Sequence, residues 1–138
     1  MERDLKQYGV VSGHEPDSME FSTLGGWIST RASGMKKNTY GNIEDIIQNI
    51  TMVTSKGTYK RLAHWPRMSH GPDVHHLLMG SEGNFGIITE AVIKVKPIPE
   101  VRIFESLIFY DWEDGVKFMH ACSRMQTYPT SCRLVDNE

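Results

Sequence analysis

Three short clusters in this chain combine glycines with hydroxyl, carboxylate and cationic side chains. The first runs Asp17-Ser18-Met19-Glu20-Phe21-Ser22-Thr23 into Gly25-Gly26. Hydroxyls both donate and accept, and glycines let backbone N–H groups come close to an anion such as a diphosphate. The second is Thr30-Arg31-Ala32-Ser33-Gly34, followed by Lys36-Lys37-Asn38-Thr39-Tyr40-Gly41. The third is Gly80-Ser81-Glu82-Gly83-Asn84-Phe85-Gly86-Ile87-Ile88, which leads straight into an apolar run. Taken singly, each cluster is more often an ordinary turn than a binding loop. Neither the Walker pattern nor the dinucleotide fingerprint is present, so spacing alone names no nucleotide.

Three further features invite a chemical reading. Arg133, in Cys132-Arg133-Leu134-Val135-Asp136-Asn137, carries a guanidinium that stays protonated at any working pH. By residue pattern alone it is a solvated arginine on a strand. The pair His75-His76 suggests a metal, but adjacent residues on a helix point about 100° apart and make poor joint ligands, so no metal is expected. Cys122 and Cys132 lack metal-ligand spacing and argue for a reducing compartment rather than a disulfide framework.

The elements that must position these residues read as follows. Residues 2–9 resemble the last turns of a helix closed by Gly9. Residues 13–42 are dense in Gly, Ser, Thr, Asp and Asn, poor material for a long helix or a continuous strand, and a loop-rich stretch of that length is usually functional. Ile50, Met52 and Val53, the turn Thr54-Ser55-Lys56-Gly57, and Thr58-Tyr59-Lys60 predict a hairpin. Residues 61–72 read as loop. Pro72-Asp73 opens a short helix over Val74–Met79, which Gly80-Ser81-Glu82-Gly83 breaks. Gly86–Val95 reads as a strand ending at Pro97 and Pro99, Ser106–Tyr110 as another, and Arg133–Val135 as a third. Between the last two, Asp111 caps a helix reaching Met125, with Asp114 three residues on and Val116, Phe118, Met119 and Cys122 as its apolar face. The class is α+β, with a boundary at the proline pair dividing 1–97 from 98–138.

With 138 residues the chain is long enough for a domain with its own core. Its net charge of −2, with both signs interspersed, gives no basic field for nucleic acid and no like-charge tail. No apolar run reaches the roughly 18–20 residues of a membrane span. Met1–Gln7 lacks the apolar stretch of a signal peptide, and Asp136-Asn137-Glu138 is not a peroxisomal tripeptide. Both ends read as interior to a larger fold.

Together the clusters carry a resemblance. Gly25-Gly26-Trp27-Ile28-Ser29-Thr30-Arg31-Ala32-Ser33-Gly34, with Tyr40-Gly41 and Gly80-Ser81-Glu82-Gly83-x-x-Gly86-Ile87-Ile88-Thr89-Glu90, resembles the FAD-binding domain shared by vanillyl-alcohol oxidase, D-lactate dehydrogenase and their relatives. The longer string His14-Glu15-Pro16-Asp17-Ser18-Met19-Glu20-Phe21-Ser22-Thr23, with Arg31-Ala32-Ser33-Gly34-Met35-Lys36-Lys37-Asn38, is similar to the alkyldihydroxyacetonephosphate synthase family. The resemblance covers essentially the whole chain and is strongest over residues 9–97.

That resemblance implies a cofactor, FAD, clamped by two α+β subdomains and covered by a cap domain. Residues 1–97 would be the second subdomain and 98–138 the start of the cap. The implied reaction exchanges the acyl chain of acyl-dihydroxyacetone phosphate for a fatty alcohol, without net oxidation. A peroxisomal location, membrane association and a homodimer are implied too. Residue by residue, the implied FAD contacts are Asp17, Ser18, Met19, Glu20, Phe21, Ser22, Thr23, Thr30, Arg31, Ala32, Ser33, Glu82, Gly83, Asn84, Phe85, Gly86, Ile87 and Ile88, and Arg133 falls on the family's active-site arginine. Asn84-Phe85 replaces the family's usual Thr-Leu. The family's upstream glycine-rich phosphate loop, its downstream tyrosine and its histidine-rich loop have no counterpart here. Two alternatives stay open: an FAD-dependent 2-hydroxyacid dehydrogenase, and a truncated, non-catalytic product.

Overall fold

The computed structural model describes residues 1–61, 65, 67–125 and 129–136. The central element is strand β2 (Ile47–Thr54), the middle of a three-stranded antiparallel sheet; β1 (Val10–Val11) lies outside it. β2 pairs on one side with β3 (Gly57–Lys60) across the turn at Ser55-Lys56, and on the other with β4 (Ile87–Ile93). Against β4 the register slips twice. Gln48 is extra on β2 between Ile47↔Ile93 and Asn49↔Val92, and Thr89 is extra on β4 between Thr51↔Glu90 and Met52↔Ile88. Each slip alone would turn the rest of the strand inside out. As a pair, one on each strand, they cancel. Gly86 leads into β4 because nothing larger fits: a Cβ there would lie 2.2 Å from the Val53 carbonyl oxygen.

Among the described residues, five short α-helices precede the longest one. α1 (Glu2–Lys6) is followed by Gly9 at φ +69, a left-handed conformation that glycine adopts without penalty. α2 (Leu24–Thr30), α3 (Lys37–Tyr40) and α4 (Ile43–Ile46) fall in or beside the glycine-rich stretch, and α5 (Val74–Leu78) follows the Asp73 cap. α2 and α3 are brief because the hydroxyl, amide and glycine residues within them compete with helix continuation. α2 and α5, the expected short helix, lay Trp27, Ile28, Leu78 and Met79 onto Ile43, Ile47, Ile50 and Met52 to form the core. Each such side chain contributes about 1.5–3 kcal/mol by leaving water. β1 pairs antiparallel with β5 (Lys96–Pro97), joining the start and end of this unit.

The hairpin, the helix after Asp73 and the strand after Gly86 agree with the sequence reading, and so do residues 61, 65 and 67–72 of the expected loop; residues 62–64 and 66 lie outside the described residues. Two expected strands do not form. Ser106–Tyr110 and Arg133–Val135 pair with nothing among the described residues. A strand needs a neighbour to take its N–H and C=O groups. None lies beside them, and Phe104, Leu107, Ile108 and Tyr110 stay exposed. α6 (Trp112–Arg124) is capped by Asp111, whose carboxylate accepts from the Glu113 N–H at 3.1 Å, while Asp114 pairs instead with Lys117. Of its expected apolar face Cys122 is buried and Met119 half-buried, while Val116 and Phe118 are 41% and 38% exposed. Gly115 is buried against Leu134, and Phe118 stacks obliquely on Phe109.

Candidate cofactor site

All three clusters gather around α2. The first folds onto its start. Met19 N–H donates to Pro16 O, and the N–H groups of Phe21 and Ser22 donate to Ser18 O, so residues 16–22 form consecutive turns. The Ser22 hydroxyl accepts from the Trp27 indole N–H at 2.6 Å and donates to Ser18 O at 2.7 Å. Thr23 is the N-cap: its hydroxyl accepts from the Gly26 N–H at 3.0 Å. These bonds hold Asp17, Ser18, Glu20 and Phe21 outward, all exposed, with Phe21 91% accessible, while Met19 turns inward against the core.

The second cluster ends α2. Thr30 donates to Gly26 O at 3.0 Å, and Arg31 closes the helix in the left-handed conformation, φ 53 and ψ 48. Its guanidinium donates to the His76 carbonyl at 3.0 Å. Ala32 packs against the core, and Ser33 donates to Asn42 Oδ1. The third cluster docks on the same helix end. Gly80 N–H donates to Ile28 O at 3.0 Å and Glu82 N–H to Ser29 O at 2.9 Å. Glu82 is also left-handed, φ 49, and Glu82, Gly83, Asn84 and Phe85 are exposed. Gly86 then enters β4, where Ile87 points outward and Ile88 lies against α2; a Cβ on Gly25 would meet the Ile88 carbonyl oxygen at 3.3 Å. Two non-glycine residues held at positive φ within one loop assembly cost about 1–3 kcal/mol each, and such residues concentrate at ligand sites.

Arg133 reaches the first cluster from the far end of the chain. Its guanidinium lies 3.6 Å from Asp17 Oδ1 and donates to Met35 Sδ at 3.0 Å. Both members of the ion pair are largely exposed, so the pair contributes at most about 1 kcal/mol. The segment carrying it lies along α3, with Asn38 donating to Pro129 O and Thr39 bonded to Thr130. His75 and His76 face different surroundings: His75 is buried edge-on to Tyr59, and His76 is exposed beside Arg31.

The sequence reading quoted His14 within the family string without giving it a role. It is 2% exposed, sits edge-on to Trp27 at 5.2 Å, and neither ring nitrogen has a hydrogen-bond partner among the described residues. Burial lowers its pKa, which the carboxylate of Glu44 partly offsets. The Ser81 hydroxyl, also buried, is likewise unpartnered. A single histidine beside a glycine has no periodicity that would mark it. The exposed lip of hydroxyls, carboxylates and Arg31 offers hydrogen-bonding groups of the kind a large polar cofactor with phosphate and sugar groups uses.

The FAD binding domain family matches residues 1–63, which include the first two clusters. The alkyldihydroxyacetonephosphate synthase of Caenorhabditis elegans is 51% identical over 138 residues, covering 100% of this chain and 23% of that protein. Sequence and fold alike match the alkyldihydroxyacetonephosphate synthases. The synthase of Trypanosoma brucei brucei is 39% identical over 100% of this chain and 22% of its own length. A solved alkyldihydroxyacetonephosphate synthase structure superposes with a TM-score of 0.66 at 46% identity, covering 72% of this chain and 18% of that one. The chain thus spans under a quarter of the synthases it matches. FAD is the cofactor that this domain takes.

Proposed function

We propose that this chain forms part of an FAD-dependent alkyldihydroxyacetonephosphate synthase, which exchanges the acyl chain of acyl-dihydroxyacetone phosphate for a fatty alcohol in ether-lipid biosynthesis. The observation that carries the reading is the convergence of Arg133 with the Asp17–Thr23 loop, 116 residues apart in sequence (133 − 17), at the rim of the α2 assembly. On this reading Asp17 to Thr23, Thr30 to Ser33 and Glu82 to Ile88 line the cofactor, largely through backbone groups and hydroxyls. Bound FAD supplies the redox-active ring at which the exchange runs without net oxidation. Arg133 holds a fixed positive charge toward the substrate's phosphate, and the Asp17 carboxylate keeps it oriented until substrate competes for it. Residues 1–97 serve as the second FAD subdomain and 98–138 begin the cap. The full protein acts at the peroxisomal membrane, as a homodimer.

The test is turnover by the full-length protein. Acyl-dihydroxyacetone phosphate and a long-chain alcohol are supplied in one assay, and D-2-hydroxyacids with an artificial electron acceptor in another. Ether product in the first with no dye reduction in the second supports the proposal. The reverse pattern assigns the chain to a 2-hydroxyacid dehydrogenase.

A further inference from the structure

Cys122 and Cys132 take no part in the chemistry above, yet the fold brings them to one cavity. A recess of about 410 Å³ is lined by Asn38, Met119, Cys122, Ser123, Pro129 and Cys132. That volume falls within the usual range for small-molecule pockets, about 300–1,000 Å³. Both cysteines are free; Cys122 is buried on α6, and Cys132 is half-buried on the segment that crosses the helix. The Cys132 thiol donates to Met119 Sδ at 3.1 Å. Met119 and Cys122 are three residues apart on α6, which makes them neighbours on one helix face, with Cβ atoms about 5–6 Å apart. Cys132 therefore rests on the turn of α6 that presents Cys122.

The segment has a second attachment. Asn38 and Thr39 hold Pro129 and Thr130 on α3, and Arg133, the residue after Cys132, reaches Met35 and Asp17. On the α6 side, the only hydrogen bond made by its described residues is the thiol–thioether contact. Such contacts are weak, so the sulfur is free to exchange its partner.

We propose that Cys122 and Cys132 form a reversible dithiol–disulfide site whose oxidant is a small disulfide such as glutathione disulfide, and that closing it pins the chain beside Arg133 onto α6. The more accessible Cys132 reacts first. Its thiolate, having lost a proton to solvent, attacks one sulfur of the oxidant, forming a mixed disulfide and releasing one small thiol. The Cys122 thiolate then attacks the Cys132 sulfur, forming the internal bond and releasing the second small thiol. The protein loses two electrons and two protons, and the oxidant's one disulfide becomes two thiols. The recess gives room for the intermediate adduct. Reversible bonds of this kind are the form disulfides take in reducing compartments.

The experiment incubates the full chain in graded mixtures of reduced and oxidised glutathione, traps free thiols with an alkylating agent, and maps peptides by mass spectrometry. The expected result is a Cys122–Cys132 linked peptide that disappears on reduction. In Cys122→Ser the reaction should stop at a glutathione adduct on Cys132, and in Cys132→Ser Cys122 should stay alkylatable. A stable adduct on wild-type Cys132 without the cross-link, or both thiols alkylated under the most oxidising mixture, would overturn the proposal. Amide exchange over residues 129–134 provides the second readout: it should slow several-fold in the oxidised protein, and unchanged exchange would overturn the link to the Arg133 segment. Neither arm involves flavin or turnover, so their failure leaves the functional reading untouched.

Discussion

Thr23 and Arg133 show how differently two single residues can serve one site. The Thr23 hydroxyl is occupied within the fold, capping α2 through the Gly26 N–H. Removing an N-cap costs about 0.5–2 kcal/mol. Thr23→Ala should therefore lower both the urea midpoint and the flavin retained by the full-length protein, and Thr23→Ser should restore both. Equal flavin content in wild type and alanine variant would separate the cap from the cofactor. Arg133 is exposed and contributes little to stability, so Arg133→Lys should leave the melting temperature and flavin absorbance nearly unchanged. Its effect belongs to turnover, where losing a planar fork of donors while keeping the charge should reduce kcat about a hundred- to thousandfold. Full activity in the lysine variant would remove Arg133 from the catalytic roles.

At the scale of elements, close approach decides what each piece tolerates. Gly86 lies against the Val53 carbonyl, so Gly86→Ala must push β4 away from β2. Overpacking of that kind costs about 1–3 kcal/mol or more, and chemical denaturation should show it as a lowered midpoint with an unchanged slope. The hairpin and β4 were legible in the sequence because β-branched runs and turn residues are local signals. The three clusters were legible as loops, but their meeting around α2 was not, since it depends on hydrogen bonds from Gly80 and Glu82 to carbonyls some fifty residues away. α2 itself hid behind Gly25-Gly26, residues that weaken helices yet here allow close contact with Ile88 and Thr23. Residues 106–110 and 133–135 misled for the converse reason: their composition favours a strand, and among the described residues no neighbouring strand meets them. His14 gave no pattern at all.

For the molecule as a whole, acid should be destabilising. His14 and His75 are buried with pKa values lowered chiefly by desolvation, so the folded protein keeps them neutral while the unfolded chain protonates them. The stability they contribute is present above their ordinary value near 6.5 and falls as pH drops through that value toward the folded pKa. Urea midpoints at pH 7.5 and 5.5 should differ in that sense, and His75→Phe should shrink the difference. A flat profile would show that neither ring titrates differently on unfolding. The isolated 138 residues, which span under a quarter of the synthases they match, should give no ether product in the synthase assay; measurable turnover would show that the site is more self-contained than its length suggests. The pairing of Val10–Val11 with Lys96–Pro97 has a consequence of its own. It sets residues 10 and 97 side by side, so the path between them closes almost into a ring. A ring has no privileged starting point: residues 10–97 could be joined end to end by a short glycine linker and reopened at the exposed Ser55-Lys56 turn, and the three-stranded sheet and the core would keep the neighbours they have except across that one hairpin.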